Sequence, residues 1–335
     1  MKIIISKPKS FTAQGCKENQ EDALFPLEGE ATEQTRVFLV CDGMGGHEHG
    51  EVASTCVADT IGRLTSQMPL CSMAEMREAF EKALQQAYHN LDELDHSASS
   101  KKMGTTLTFL AICNDGVLTA HIGDSRIYQF RPDKGIIFQT RDHSLVNDLI
   151  AAGELKEEEA RTFPQRNVIT RAIQPHQDYP AKAAYNNLRD IRPGDLFFLC
   201  CDGVLEQLEN NDLCSLLMNK DSLESRCDAV RKTCAERNTR DNNTAYLIEV
   251  TAVEGSSETI DVIETEVPNS AQAGSITLTQ PVDPQPAIKH KWWFLLIAVL
   301  LVAILVGIYF LFSPNTKKQG KSYTQQTQGT IQRYK

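Results

Sequence analysis

Apolar positions along this chain fall into three patterns. The first is short unbroken runs that end in aspartate–glycine turns. Val37–Cys41 runs into Asp42-Gly43, and Leu196–Cys201 runs into Asp202-Gly203. Both predict strands that meet a turn. Thr105–Cys113 and Val117–Phe130 read as paired strands joined by Asn114-Asp115-Gly116, a strong short-range hairpin signal. Thr244–Val250 predicts a closing strand. The second pattern has helical spacing. Gly50–Thr65, Met73–Asp95 and Leu223–Asn238 read as helices; in the second, Met76, Phe80, Leu84, Ala87 and Leu91 recur every three or four residues. Strands clustered together with helices grouped apart predict a layered α+β domain rather than alternating βαβ units.

The third pattern is a single run, residues 292–312, of 21 residues without a charge. As a helix it would rise about 31 Å, the thickness of a bilayer core. Trp292, Trp293 and Tyr309 stand near its ends, where such rings favour the interface. A buried core helix is the competing reading, but the run is apolar on every face and flanked by lysines. Residues 252–291 read as an acidic linker with Pro268, Pro281, Pro284 and Pro286, too polar to offset the entropy of ordering. Residues 313–335 read as a polar, basic tail. One domain, 1–251, remains.

Charge divides along the same boundary. The 335 residues carry a formal −10. All 44 acidic residues but only 27 of the 34 basic ones lie before position 289, so residues 1–288 carry −17. Such a domain is no general binder of nucleic acid, which needs a basic face. Ten cysteines form no C-x-x-C pair, which removes zinc-ribbon and thioredoxin-like readings. Most lie in apolar or helical runs and read as small hydrophobes in a reducing compartment. Met1–Ser10 has no apolar stretch long enough for a secretory signal.

The chemistry is expected at the strand ends. Acidic turns occur at Asn19-Gln20-Glu21-Asp22, Asp42-Gly43, Gly123-Asp124-Ser125, Asp202-Gly203 and Asp241-Asn242-Asn243. Carboxylates gathered at buried strand ends repel one another unless a hard divalent cation offsets the charge, and oxygen donors suit Mg²⁺ or Mn²⁺. Glycine after the aspartate lets the backbone come close and offer a carbonyl. Each turn alone is weak evidence, because Asp-Gly is common in loops.

Taken in order, ENQED (18–22), VCDGMGGHEHGEVAS (40–54), GTTLT (104–108), AHIGDSRIY (120–128), TRDHSLV (140–146), RNVITRAI (166–173), GDLFFLCCDGV (194–204) and TRDNNTAYLIEV (239–250) resemble the metal-dependent type 2C Ser/Thr protein phosphatases, bacterial branch. The resemblance covers essentially all of residues 1–251. It implies a four-layer α-β-β-α sandwich, two antiparallel sheets flanked by helices, with the transmembrane helix appended. It also implies two Mn²⁺ or Mg²⁺ ions and, in bacterial members, a third, weaker one. Asp42 matches the bridging aspartate and Gly43 the glycine that offers a carbonyl. Asp202 and Asp241 match aspartates of the first metal, Glu21 and Asp22 carboxylates that bind directly or through water, and Asp124 a ligand of the third metal. Glu206 is a weaker candidate beside Asp202.

The implied reaction is hydrolysis of phosphoserine and phosphothreonine by a water that the metals activate. Two departures stand out. Lys17 occupies the position of a phosphate-binding arginine, keeping the charge but losing the bidentate fork. Met44 stands where many eukaryotic members carry a histidine. His47 and His49 read as solvated loop residues, because oxygen-rich sites for hard metals rarely need imidazole. Asp142 and His143 open a flap that extends to Arg171 and are candidates to order its base. Glu154–Glu159 reads as a solvated face, and Cys200-Cys201 as a packed strand.

Two other readings stay open: a phosphopeptide-binding pseudophosphatase scaffold, and a hydrolase of a non-protein phosphoester. The expected location is a cell membrane, single-pass, with the catalytic domain cytosolic and the tail outside. The expected partners are phosphoproteins, among them a membrane kinase of the eukaryote-like Ser/Thr type, with no nucleic acid.

Overall fold

The computed structural model describes residues 1–45, 49–96 and 103–255. His47, most of the linker, the 292–312 run and the tail lie outside them. Among the described residues no helix is long and apolar enough to cross a membrane.

Two antiparallel sheets form the centre. The first orders β1 (Lys2–Ile5), β13 (Asn243–Glu254), β12 (Leu196–Cys200), β9 (Arg126–Arg131) and β10 (Gly135–Gln139), with β2 (Lys9–Ala13) also on β13. The second orders β11 (Ala184–Leu188), β8 (Gly116–Ile122), β7 (Leu107–Cys113), β4 (Val37–Cys41) and β3 (Ala23–Phe25). β5 (Gly43–Met44) and β6 (Gly104–Thr105) make a separate short ladder. Helices α1 (Gly50–Ser66) and α2 (Met73–Leu94) pack on the second sheet. The helices α4 (Asp202–Gln207), α5 (Asn210–Leu217) and α6 (Leu223–Glu236) pack against the first. Between them, α3 (Leu145–Ala152) and a 3-10 turn (Glu157–Thr162) belong to the segment read as a flap. The α+β expectation is met, with helices on the outer face of each of two antiparallel sheets.

The side-chain alternation of β4 shows how the layers hold together. Phe38 and Val40 face the first sheet, where Phe38 meets Tyr246 edge-on at 5.3 Å. Val37, Leu39 and Cys41 face α1 and α2. All five are buried, so this strand is apolar on both faces and reads as an unbroken run. Helix α2 begins with Ser72 accepting from the Glu75 amide while the Glu75 carboxylate accepts from the Ser72 amide at 2.8 Å.

One strand boundary corrects the sequence expectation. Val117–Phe130 is two strands in different sheets, not one. β7 and β8 form the expected hairpin, closing at Cys113–Gly116, but the chain then turns at Gly123 with φ +103° and crosses to the first sheet as β9. Thr105 likewise leaves the hairpin to pair with Gly43. The closing strand runs on to Glu254 along β1, with a register shift at Ile4/Ile5. All ten cysteine thiols are free.

Candidate metal centre

Every acidic turn singled out in the sequence lies at an end of a strand of the two main sheets. Asp42 follows β4, Asp202 follows Cys201 after β12, Asp241 precedes β13, Glu21 and Asp22 precede β3, and Asp124 sits between β8 and β9. Ligand atoms of Asp22, Asp42 and Cys201 lie within 4.8 Å of one another. The electrostatics tie in the rest: Asp42 feels the charges of Asp22, Asp202 and Asp124, and Asp202 feels that of Asp241.

Backbone contacts fix this convergence. The Asp42 amide donates to Thr106 Oγ1 at 3.1 Å. Its carbonyl accepts from the Thr106 amide and from Thr105 Oγ1, both at 2.9 Å. The Gly43 amide donates to the Glu21 carbonyl at 3.1 Å, and a Cβ on Gly43 would collide with the carbonyl oxygens of Glu21 and Gly50. Glycine is therefore demanded here by close approach of two backbones. Ser54 Oγ donates to the Glu21 carbonyl.

Asn242 was not singled out in the sequence, yet it clamps the loop between β2 and β3 at three backbone groups. Its Oδ1 accepts from the Glu21 amide at 2.7 Å, and its Nδ2 donates to the Gln14 and Asn19 carbonyls at 2.8 and 2.9 Å. Glu51 and Cys201 were also missed. Glu51 in the first turn of α1 keeps a buried oxygen without a partner and raises the pKa of Glu21. Their one sequence signal was membership of the same motif runs as Asp42 and Asp202.

Burial and mutual repulsion raise the carboxyl pKa values. Burial pushes Asp22 up to about 7, with Asp202 and Asp241 adding to the rise and the neighbouring Thr244 and Cys201 opposing it. Asp124 also rises to about 7, first through burial and then through Asp202. Asp42 stands well above the usual carboxylate range, through burial, then Asp22 and Asp202. Burial raises Asp202 as well, although sharing a proton with Asp42 pulls the other way. Both carboxylate oxygens of Asp22 are buried and lack a hydrogen-bond partner among the described residues. Orphaned, crowded hard-oxygen donors fit a divalent cation of the Mg²⁺ or Mn²⁺ type.

The remaining candidates divide. Lys17 is exposed, and its Nζ lies 2.8 Å from Asp241 Oδ1. Burial lowers the Lys17 pKa, but the bond to Asp241 and the charges of Glu21 and Asp42 outweigh it, so the ammonium is held. Glu206 is exposed and accepts from the Arg240 amide at 3.0 Å, which places it as a brace for the loop before Asp241. His49 is exposed at the start of α1, as a solvated histidine should be.

Asp142 and His143 do order the flap base. Arg126 grips Asp142 through two 2.6 Å bonds. His143 Nδ1 accepts from the Gly123 amide at 3.1 Å, its own amide donates to the Gly123 carbonyl at 2.9 Å, and its carbonyl accepts from the Thr170 amide at 2.9 Å. Its ring stacks on His121 with centroids 4.6 Å apart. Burial, then the His121 neighbour, pushes His143 down to about 4, so the pair is neutral. The turn that carries Asp124 and the returning limb of the flap are thus joined through one residue.

The sequence profile described as "Protein phosphatase 2C" matches residues 15–242. The chain belongs to the protein phosphatase 2C family. A putative protein phosphatase 2C-type from Streptococcus pyogenes is 33% identical over 212 residues, 63% of this chain and 85% of that protein. The S. agalactiae serine/threonine phosphatase superposes with a TM-score of 0.64 at 31% identity, covering 73% of this chain and 99% of that one. The catalytic domain of the serine/threonine protein phosphatase PstP, solved with two manganese ions, gives 0.59 at 25% identity over 74% of this chain and 99% of that domain. Like these relatives, this 2C family member is a Ser/Thr protein phosphatase.

Proposed function

We propose that this protein is a membrane-anchored, metal-dependent phosphoprotein phosphatase acting on phosphoserine and phosphothreonine. The observation that carries the metal dependence is the convergence of Asp22, Asp42, Asp124, Asp202 and Asp241 from five separate turns, with Asp22 orphaned. Asp42, the Gly43 carbonyl, Glu21, Asp22, Asp124, Asp202 and Asp241 would be the groups that hold Mn²⁺ or Mg²⁺ ions. Bound there, such ions acidify water into a nucleophile and neutralise phosphoryl charge.

The chain's own residues do the rest. Lys17, exposed at the rim 2.8 Å from Asp241, is placed to attract and orient a phosphate dianion, as a point charge rather than a fork. Thr105, Thr106 and Asn242 hold the Asp42 and Glu21 backbones so that the carboxylates stay crowded. Met44 carries no titratable proton, so no acid stands next to Gly43 on β5. A pseudophosphatase scaffold would be expected to lack part of this cluster, and the full set argues against one.

Residues 292–312 would tether the domain on the cytosolic face and raise its local concentration near membrane substrates, among them a Ser/Thr kinase of the eukaryote-like type. The test of the enzymatic reading is manganese-dependent phosphate release from phosphoserine and phosphothreonine peptides, with nucleotides as the competing substrate class. Peptide turnover by the wild type that is lost in Asp42→Asn and Asp202→Asn is expected. Equal turnover in the variants would remove the mechanism, and turnover of nucleotides alone would reassign the substrate.

A further inference from the structure

We propose that the cleft between Met44 and the Ile169–Lys182 segment is a substrate subsite that selects phosphopeptides with acidic residues beside the phosphorylated one. The inference deepens the phosphatase reading and rests on it. The cleft has a volume of about 530 Å³ and is lined by Met44 on one side and by residues of the 169–182 segment on the other. Met44, in its wall, is two residues from Asp42. On the other side the chain at Ile173 is bonded to Thr105, amide to carbonyl, at 2.9 Å in both directions. Thr105 Oγ1 in turn donates to the Asp42 carbonyl. A peptide whose phosphate sits at Asp42 would thus carry its neighbouring residues toward this cleft.

The lining chemistry names the occupant. Arg171 and Lys182 line the cleft and are both exposed, while among the described residues no carboxylate lines it. Among the described residues neither cation forms an ion pair, although the domain as a whole is strongly acidic. Tyr179 lines it too and is 92% exposed, more than any other large hydrophobic side chain among the described residues. Arg171 Nη1 lies 3.4 Å from His143 Nε2, a neutral partner that leaves its charge unbalanced. Folding gives no reason for the exposure of Tyr179, whereas an aromatic ring beside two cations without a carboxylate partner suits an extended acidic peptide. The carboxylates of such a peptide would pair with Arg171 and Lys182, and its backbone or an apolar side chain would lie on Tyr179.

The test compares three phosphothreonine peptides, identical except for acidic, neutral or basic flanking residues, on the full-length, manganese-loaded protein. Para-nitrophenyl phosphate, too small to reach the cleft, reports separately on the metal centre. The acidic peptide is expected to show kcat/KM about three- to tenfold above the neutral one, mostly through KM, with the gap shrinking as salt rises. Lys182→Glu should erase or invert that order. Tyr179→Ala should lower kcat/KM about threefold for all three peptides. Equal kcat/KM across the peptides, or an order unchanged in Lys182→Glu, would overturn the subsite. No manganese-dependent turnover of the small ester would instead defeat the phosphatase reading beneath it. Equal turnover together with competitive inhibition by a synthetic peptide of residues 256–268, which carries four acids and no base, would give the cleft to the chain's own linker and likewise overturn the proposal.

Discussion

Asp22 shows what the centre costs at the scale of one residue. Its folded pKa is about 7 against an ordinary 3.8, as is that of Asp124. Between these values the unfolded chain has released protons that the folded, metal-free protein still holds. Stability therefore falls as pH rises from about 4 to about 7, then levels off. Thermal unfolding of the metal-stripped protein should show that slope, and manganese should stabilise more at pH 7 than at pH 5. A flat profile would mean that the carboxylates are not crowded in solution. Asp42→Asn removes one charge from the same crowd. Its manganese-dependent kcat should fall at least about a hundredfold, while the melting temperature of its metal-free form should hold or rise. These aspartates were legible in the sequence because each follows or precedes an apolar run at a turn. Asn242 was not, since an amide that clamps one distant loop looks like any loop asparagine until that loop is placed.

At the scale of elements, turns carry the site and strands aim it. Gly123 has φ +103°, and a Cβ there would lie 2.7 Å from the Thr106 side chain. Gly123→Ala should cost about 1–3 kcal/mol of stability and weaken whatever Asp124 binds, read by denaturant unfolding and by manganese titration. Asn242, 2% exposed, bonds three backbone groups of the loop between β2 and β3, more than two hundred positions earlier in the chain. Asn242→Ala should cost about 3 kcal/mol, a drop of about 6–12 °C in melting temperature for a domain of this size. Loss of activity without that drop would show that the clamp serves geometry and not stability. The helices α1 and α2 and the β7–β8 hairpin match their sequence expectations closely, because strong periodicity and a sharp turn are local signals. The crossing at Gly123 did not stand out, because the apolar pattern continues through it and only the sheet each half joins tells them apart. The edge strands β1, β2, β3, β10 and β11 went unread for a related reason. They are short and half-buried, and β1, β2 and β11 find their pairing partners far along the chain.

At the scale of the whole molecule, an acidic domain and a 21-residue uncharged run separated by a proline-containing linker make a tethered enzyme the expected arrangement. Protease added to intact cells should trim the tail beyond residue 312 and spare the domain, as judged by antibodies to each end. Digestion of the domain with the tail protected would reverse the proposed topology. Deleting residues 292–335 should leave turnover of soluble phosphopeptides within about twofold while slowing dephosphorylation of substrates in the same membrane, since a tether changes local concentration and not the chemistry.

The order of motifs, the carboxylates themselves and the layered α+β class were all written in the linear chain, because strand runs, turn residues and donor chemistry are properties of neighbours. Tertiary structure alone decided which carboxylate is orphaned, that Lys17 pairs with Asp241, that His143 joins the Asp124 turn to the flap, and that Arg171 and Lys182 share one cleft with Met44 in an otherwise acidic domain. Those outcomes depend on distances between residues as much as 224 positions apart, as Lys17 and Asp241 are, which no local pattern encodes.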